Sequence, residues 1–141
     1  AGLYGDNPYL TSRIDSFLDA SLVFARESQV YLLSLASTEI TQETYERTSS
    51  AFTGYMSAIE RALDPDERYL VGDQLSLADI CFACEYAMFA RESERREVLE
   101  IIGALPISHD SLERFPRSLN HFNNLCRLEA FCPELGTYCV E

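Results

Sequence analysis

Cys81 and Cys84 have the CxxC spacing, in which one thiolate attacks and the second resolves. That chemistry belongs at an exposed helix N-terminus, where backbone amides stabilise the thiolate. Here the pair falls beyond the first turn of an apolar stretch. Packing is the better expectation, because free cysteine is among the most buried residue types. Zinc would need two further ligands at short spacing. Cys126, Cys132 and Cys139 are loosely spaced and there is no second CxxC, so no metal site is expected. Only two histidines occur, His109 and His121. His121 stands beside Asn120 and Asn123, and a surface or cap role is expected for it, since no nucleophile at a recognisable motif accompanies it. A Gly-rich phosphate loop, G-x-S-x-G and H-E-x-x-H are all missing, and no carboxylate pair stands out as acid and base. No residue of the chain is therefore assigned a catalytic role.

The balance of charge narrows the partners. The chain has 23 acidic and 11 basic residues, a formal charge of −12, and every basic residue is Arg. Such a field repels phosphate, so neither nucleic acid nor an anionic membrane is an expected partner. No apolar run reaches the ~18–20 residues of a spanning helix, and the N-terminus lacks the pattern of a signal peptide. Five cysteines is an odd count, which suits reduced thiols and a cytoplasmic protein better than a disulfide framework. A length of 141 residues suits one domain spanning 1–141. The chain begins at Ala1 without Met, as a processed or cut sequence would.

The elements that would position any site are helical nearly throughout, since strand-like alternation and two-residue hairpin signals are scarce. Asn7 and Pro8 read as a helix start, with Asn7 the cap. Leu10, Ile14, Phe17, Leu18, Leu22 and Ala25 recur after it, and Val30 to Leu35 is denser. This predicts one helix of about 30 residues or two with a kink. Within it Phe17, Phe24 and Tyr31 fall seven apart, which predicts ordinary packing, or alternatively a ligand groove or interface. Thr41 caps a second helix with the stripe Tyr45, Phe52, Tyr55, Met56, Ile59 and Leu63, ended by Asp64-Pro65. Gly54 inside it costs about 1 kcal/mol relative to Ala, which close approach of a neighbouring helix would offset.

Residues 69–80 are the most informative. Gly72-Asp73 marks a turn and Ser76 an N-cap, with Asp79 three residues on as the reciprocal half of a capping box. Leu75 and Ile80 occupy the positions of a hydrophobic staple. The helix that follows is apolar on nearly every face and is expected at the centre of the fold. The fold class is therefore all-α, a helical bundle around a buried central helix. Residues 91–96 read as a charged, solvated stretch, 98–102 as a short helix, 106–111 as a loop, Phe115-Pro116 as the start of a last helix, and 131–141 as irregular tail.

The run from Gly72 and Asp73 through Leu75, Ser76, Ala78, Asp79 and Ile80 resembles the C-terminal helical domain of the glutathione transferase superfamily. The order of segments resembles it as well, over nearly the whole chain. That resemblance implies a two-domain protein, whose upstream thioredoxin-like domain binds glutathione and supplies the catalytic residue. The present domain would contribute the wall of the electrophile site and part of a homodimer interface, with Phe24, Ser28 and Tyr31 lining the pocket. Val23 stands where some classes carry an Asp that contacts glutathione across the dimer, and the stretch 91–110 is longer than many members need. Two functions are consistent with this resemblance. One is glutathione conjugation or glutathione-dependent reduction. The other is non-catalytic docking, as in the gamma subunit of translation elongation factor one and in tRNA-synthetase assemblies.

Overall fold

The computed structural model describes residues 2–139, and among these there is no strand. Asn7 caps α1 (Pro8–Ala36), its side chain accepting from Leu10 N–H at 3.0 Å. The helix is continuous over 29 residues, which decides between one helix and a kinked pair. A tight turn precedes it. Gly5 has φ +86, and a Cβ there would sit 2.9 Å from that of Leu10, so this turn needs glycine. Thr41 accepts from Thr44 N–H at 3.2 Å and opens α2 (Gln42–Ala62).

Ser76 and Asp79 form the expected capping box at the start of α3 (Leu77–Ala90). Leu75 and Ile80, the expected staple, are both half-buried. A 3-10 segment, Arg91–Arg95, leads into the short helix α4 (Arg96–Ile101). One turn of helix, α5 (Ser111–Arg114), precedes α6 (Pro116–Cys126), which begins on its proline as the sequence implies. As far as Cys139 the tail is not irregular, since α7 (Cys132–Leu135) and a 3-10 turn, Gly136–Tyr138, follow; 140–141 lie outside the described residues.

Helix α1 packs on α2 and α3, and α6 packs across α2 and α3. Between them lies a nearly continuous aromatic core. Phe24 stacks on Tyr55 at 4.8 Å, and Phe52 on Phe89 at 4.7 Å. Tyr31 stacks on Phe89 at 5.7 Å, and Tyr86 meets the edge of Phe122 at 4.8 Å. Offset and edge contacts of this kind add to the burial of apolar area.

Three expectations change. The buried stripe of α1 is Ile14, Ser21, Phe24, Ser28, Tyr31 and Leu35, while Leu22 and Leu33 are 64% and 63% exposed. The helix is apolar on two sides, and the aromatic spacing rather than the leucines selects the inner face. Ser21 is accommodated there by a 2.8 Å hydrogen bond to Tyr55. Helix α3 is not buried all round, since Cys84 and Met88 are exposed. Gly54 is exposed with nothing within 4 Å of a Cβ placed on it, so no neighbouring helix approaches it.

Candidate functional site

A groove of about 610 Å³ runs between α1, the outer side of α3 and the 3-10 segment after it. Leu22, Leu32, Leu33 and Met88 supply its apolar surface. Arg26, Glu85, Arg91 and Glu94 lie along it, and Arg91 pairs with Glu94 at 3.4 Å. Burial raises the Glu85 carboxyl above the ordinary range. An apolar concavity with a few charges at its edge can hold a small apolar molecule or the side chains of a partner.

One end of the groove is fixed by a carboxylate that the sequence did not single out. Glu92 lies in the stretch expected to be solvated, yet it is fully buried. Its Oε2 accepts from the Tyr31 hydroxyl at 2.6 Å and from Ile107 N–H at 2.9 Å. Its Oε1 accepts from Ser108 N–H and from the Ser108 hydroxyl, both at 2.7 Å. Four donors replace the water that this carboxylate loses, and none of them is a cation. Burial, followed by the charge of Glu92 and the hydrogen bond to it, raises the Tyr31 phenol, which stays protonated and donating. The signal in the sequence is faint: one Glu among charged neighbours, whose donors lie 61 residues upstream and about one helix length downstream.

Asp79 anchors the other end of α3. It is fully buried and accepts from Ser76 N–H and the Ser76 hydroxyl at 3.0 Å, and from Leu70 N–H at 2.9 Å. The fourth donor is His121 Nε2, at 2.9 Å. His121 is therefore not at the surface or in a cap. It is buried on the inner side of α6, stacked at 6.0 Å on Phe82. A single buried acid across the core reverses the expectation drawn from its asparagine neighbours.

The three residues expected to line a pocket all lie on the buried stripe of α1; Ser28, itself 3% exposed, borders the floor of the groove, and Phe24 and Tyr31 lie beneath it in the aromatic core. Val23 is exposed on α1 outside the groove lining. Cys81 is half-buried and Cys84 exposed, so the second is not packed as expected. Burial raises both thiols, as do neighbouring negative charges, which keeps them protonated and makes them weak nucleophiles. Among the described residues no group of three or more His, Cys, Asp or Glu is arranged to hold a metal ion. Among them, too, no helix is long and apolar enough to cross a membrane.

Comparison with known families meets this architecture directly. The family model for the glutathione S-transferase C-terminal domain matches residues 14–106, which span α1 to the loop after α4. The chain belongs to that family, and its all-α bundle around α3 is that family's fold. No curated protein and no solved structure matches the chain.

Proposed function

We propose that the chain is the substrate-shaping half of a two-domain glutathione transferase, with the α1–α3 groove as the wall of its electrophile site. An upstream thioredoxin-like domain would bind glutathione as co-substrate and supply the reacting residue. A second copy of the protein would complete a homodimer. The observation that carries this proposal is the groove itself. Leu22, Leu33 and Met88 are more than half exposed on two adjoining helices, over the buried rings of Phe24, Tyr31 and Phe89. Apolar side chains gathered in a concavity mark a surface that meets a ligand or partner. No side chain lining the groove forms a nucleophile–base pair, which suits a wall rather than a reaction centre.

The test uses the full-length protein that contains this chain, on immobilised glutathione and with a generic aromatic electrophile. Retention with turnover is expected. Leu33→Asp should raise KM for the electrophile and leave KM for glutathione unchanged. The purified chain alone should conjugate nothing, and turnover by it would overturn the division of labour. Full-length protein that neither binds glutathione nor turns over would overturn the transferase proposal in favour of protein–protein docking.

A further inference from the structure

A second cavity, of about 370 Å³, shares no residue with the groove and lies between the loop before α3 and the side of α6. Arg68 and Tyr69 form its loop wall. His121, Asn124 and Leu125, on one face of α6, form the other, and Arg127 and Leu128 extend that wall past the helix. Both walls are fixed to one buried atom. Asp79 Oδ1 accepts from Leu70 N–H on the loop and from His121 Nε2 on the helix, each at 2.9 Å. The Tyr69 ring meets that of His121 nearly at a right angle, with centroids 6.5 Å apart. The Arg68 guanidinium lies over the Tyr69 ring, 5.4 Å from its centre, in a cation–π contact that holds it in place.

Charge decides what this cavity takes. Arg47, Arg91, Arg95, Arg114 and Arg117 each pair with a carboxylate, whereas among the described residues neither Arg68 nor Arg127 does. Among the described residues no acidic side chain lines the cavity, in a chain that has 23 of them. Glu67, beside Arg68, instead accepts from Gly72 N–H at 3.3 Å. We propose that the cavity binds a small phosphate monoester that carries an apolar or aromatic body. Two guanidinium forks match both the acceptor oxygens of such a group and its charge of about −2 near neutral pH. Asn124 adds an amide donor. Tyr69, Leu125 and Leu128 leave apolar surface for the body of the ligand. The volume falls within the ~300–1,000 Å³ of small-molecule sites. The cavity runs beside α6 and not beyond its C-terminal end, where free carbonyls would repel an anion. The formal charge of −12 repels anions at long range, but at physiological ionic strength that field is screened within about 8 Å, so the two local arginines decide. This site is independent of the transferase proposal.

The test is NMR titration of the isotope-labelled chain with phenyl phosphate, inorganic phosphate and benzoate, at an ionic strength held constant with sodium chloride. Phenyl phosphate should give saturable amide shifts at Arg68, Tyr69, Asn124, Arg127 and their neighbours, and should bind more tightly than the other two anions. Arg68→Gln and Arg127→Gln should each weaken it about tenfold, through loss of one charge-assisted contact. Arg96→Gln, at an exposed arginine on α4 outside the cavity, should bind as the wild type does. All three arginines are exposed, so each variant should keep the wild-type far-UV circular dichroism. No saturable shift, or shifts centred on the α1–α3 groove, would overturn the proposal. So would benzoate or inorganic phosphate binding as tightly as phenyl phosphate, wild-type affinity in either cavity variant, or an equal loss in Arg96→Gln.

Discussion

Asp79→Asn keeps the shape of a fully buried side chain and replaces one acceptor oxygen with a donor. Oδ1 faces Leu70 N–H and His121 Nε2, and Oδ2 faces the Ser76 N–H and hydroxyl. The asparagine nitrogen must point at one of these two pairs. The Ser76 hydroxyl can rotate and His121 can change tautomer, so either side chain can turn acceptor. The backbone N–H in each pair cannot. One buried N–H is therefore left unpaired, at about 1–3 kcal/mol, and the surviving bonds lose their charge assistance, about 1 kcal/mol more. The expected loss is about 2–4 kcal/mol, a large share of the ~5–15 kcal/mol that holds a domain folded. Asp79→Ala orphans both N–H groups and should cost more than Asp79→Asn. Ser76→Ala leaves three of the four Asp79 bonds in place and should cost only ~1 kcal/mol, as ordinary N-cap losses do. The assay is urea unfolding followed by far-UV circular dichroism, since the chain contains no Trp. The m-value should stay unchanged. An Asp79→Asn loss below about 1 kcal/mol at constant m would refute the assignment of Asp79 as a fixed acceptor for four donors.

Three further outcomes follow from other side chains. Glu92→Gln should cost about 2–4 kcal/mol on the same reasoning, with hydrogen exchange accelerated at Ile107 and Ser108; unchanged protection there would disconnect Glu92 from that loop. Glu60 caps α6 from α2, accepting from Ser118 N–H at 2.8 Å, the Ser118 hydroxyl at 2.6 Å and Arg117 N–H at 3.0 Å. Burial pulls its carboxyl up, but these hydrogen bonds outweigh it and hold the group below the ordinary range. A depressed folded value means that the stabilisation is fully present above the unfolded value of ~4.3 and is lost as pH falls through the folded one, so the Tm gap between wild type and Glu60→Gln should close below about pH 4. Gly54→Ala should raise stability by about 0.5–1 kcal/mol, read by urea unfolding, because the added methyl meets open space in a helix interior; a loss would reveal a constraint at that position.

What was legible in the sequence was what is local. The caps at Asn7, Thr41 and Ser76, and the helix starts at Pro8 and Pro116, are decided within three or four residues, so their side chains carry the signal unaided. The inner face of α1 was less legible, because leucines stand on both sides and two serines sit on the buried stripe. Ser21 becomes tolerable there only once Tyr55 arrives from α2. The roles of Glu92, His121 and Glu60 were not legible at all. Each depends on a partner more than 40 residues away along the chain. Ser28 borders the groove while Phe24 and Tyr31 lie beneath it, a difference set by rings arriving from α2 and α3 that the α1 sequence alone does not carry.

The two buried carboxylates give α3 a property that neither gives alone. Asp79 stands in its first turn and holds Leu70 and α6. Glu92 stands just beyond its last residue and holds α1 through Tyr31 and the 107–108 backbone. The helix is thus clamped at both ends, while its middle leaves Cys84 and Met88 exposed beside α1. The chain carries 11 arginines, yet every donor to these two acids is a backbone N–H, a hydroxyl or a histidine ring. Removing one acid should therefore loosen the backbone that it anchors rather than free a cation. Loss of Asp79 should leave the charge of the groove wall unchanged and loosen its geometry, whereas loss of Glu92, which lines the groove, should remove a carboxylate and loosen the wall together.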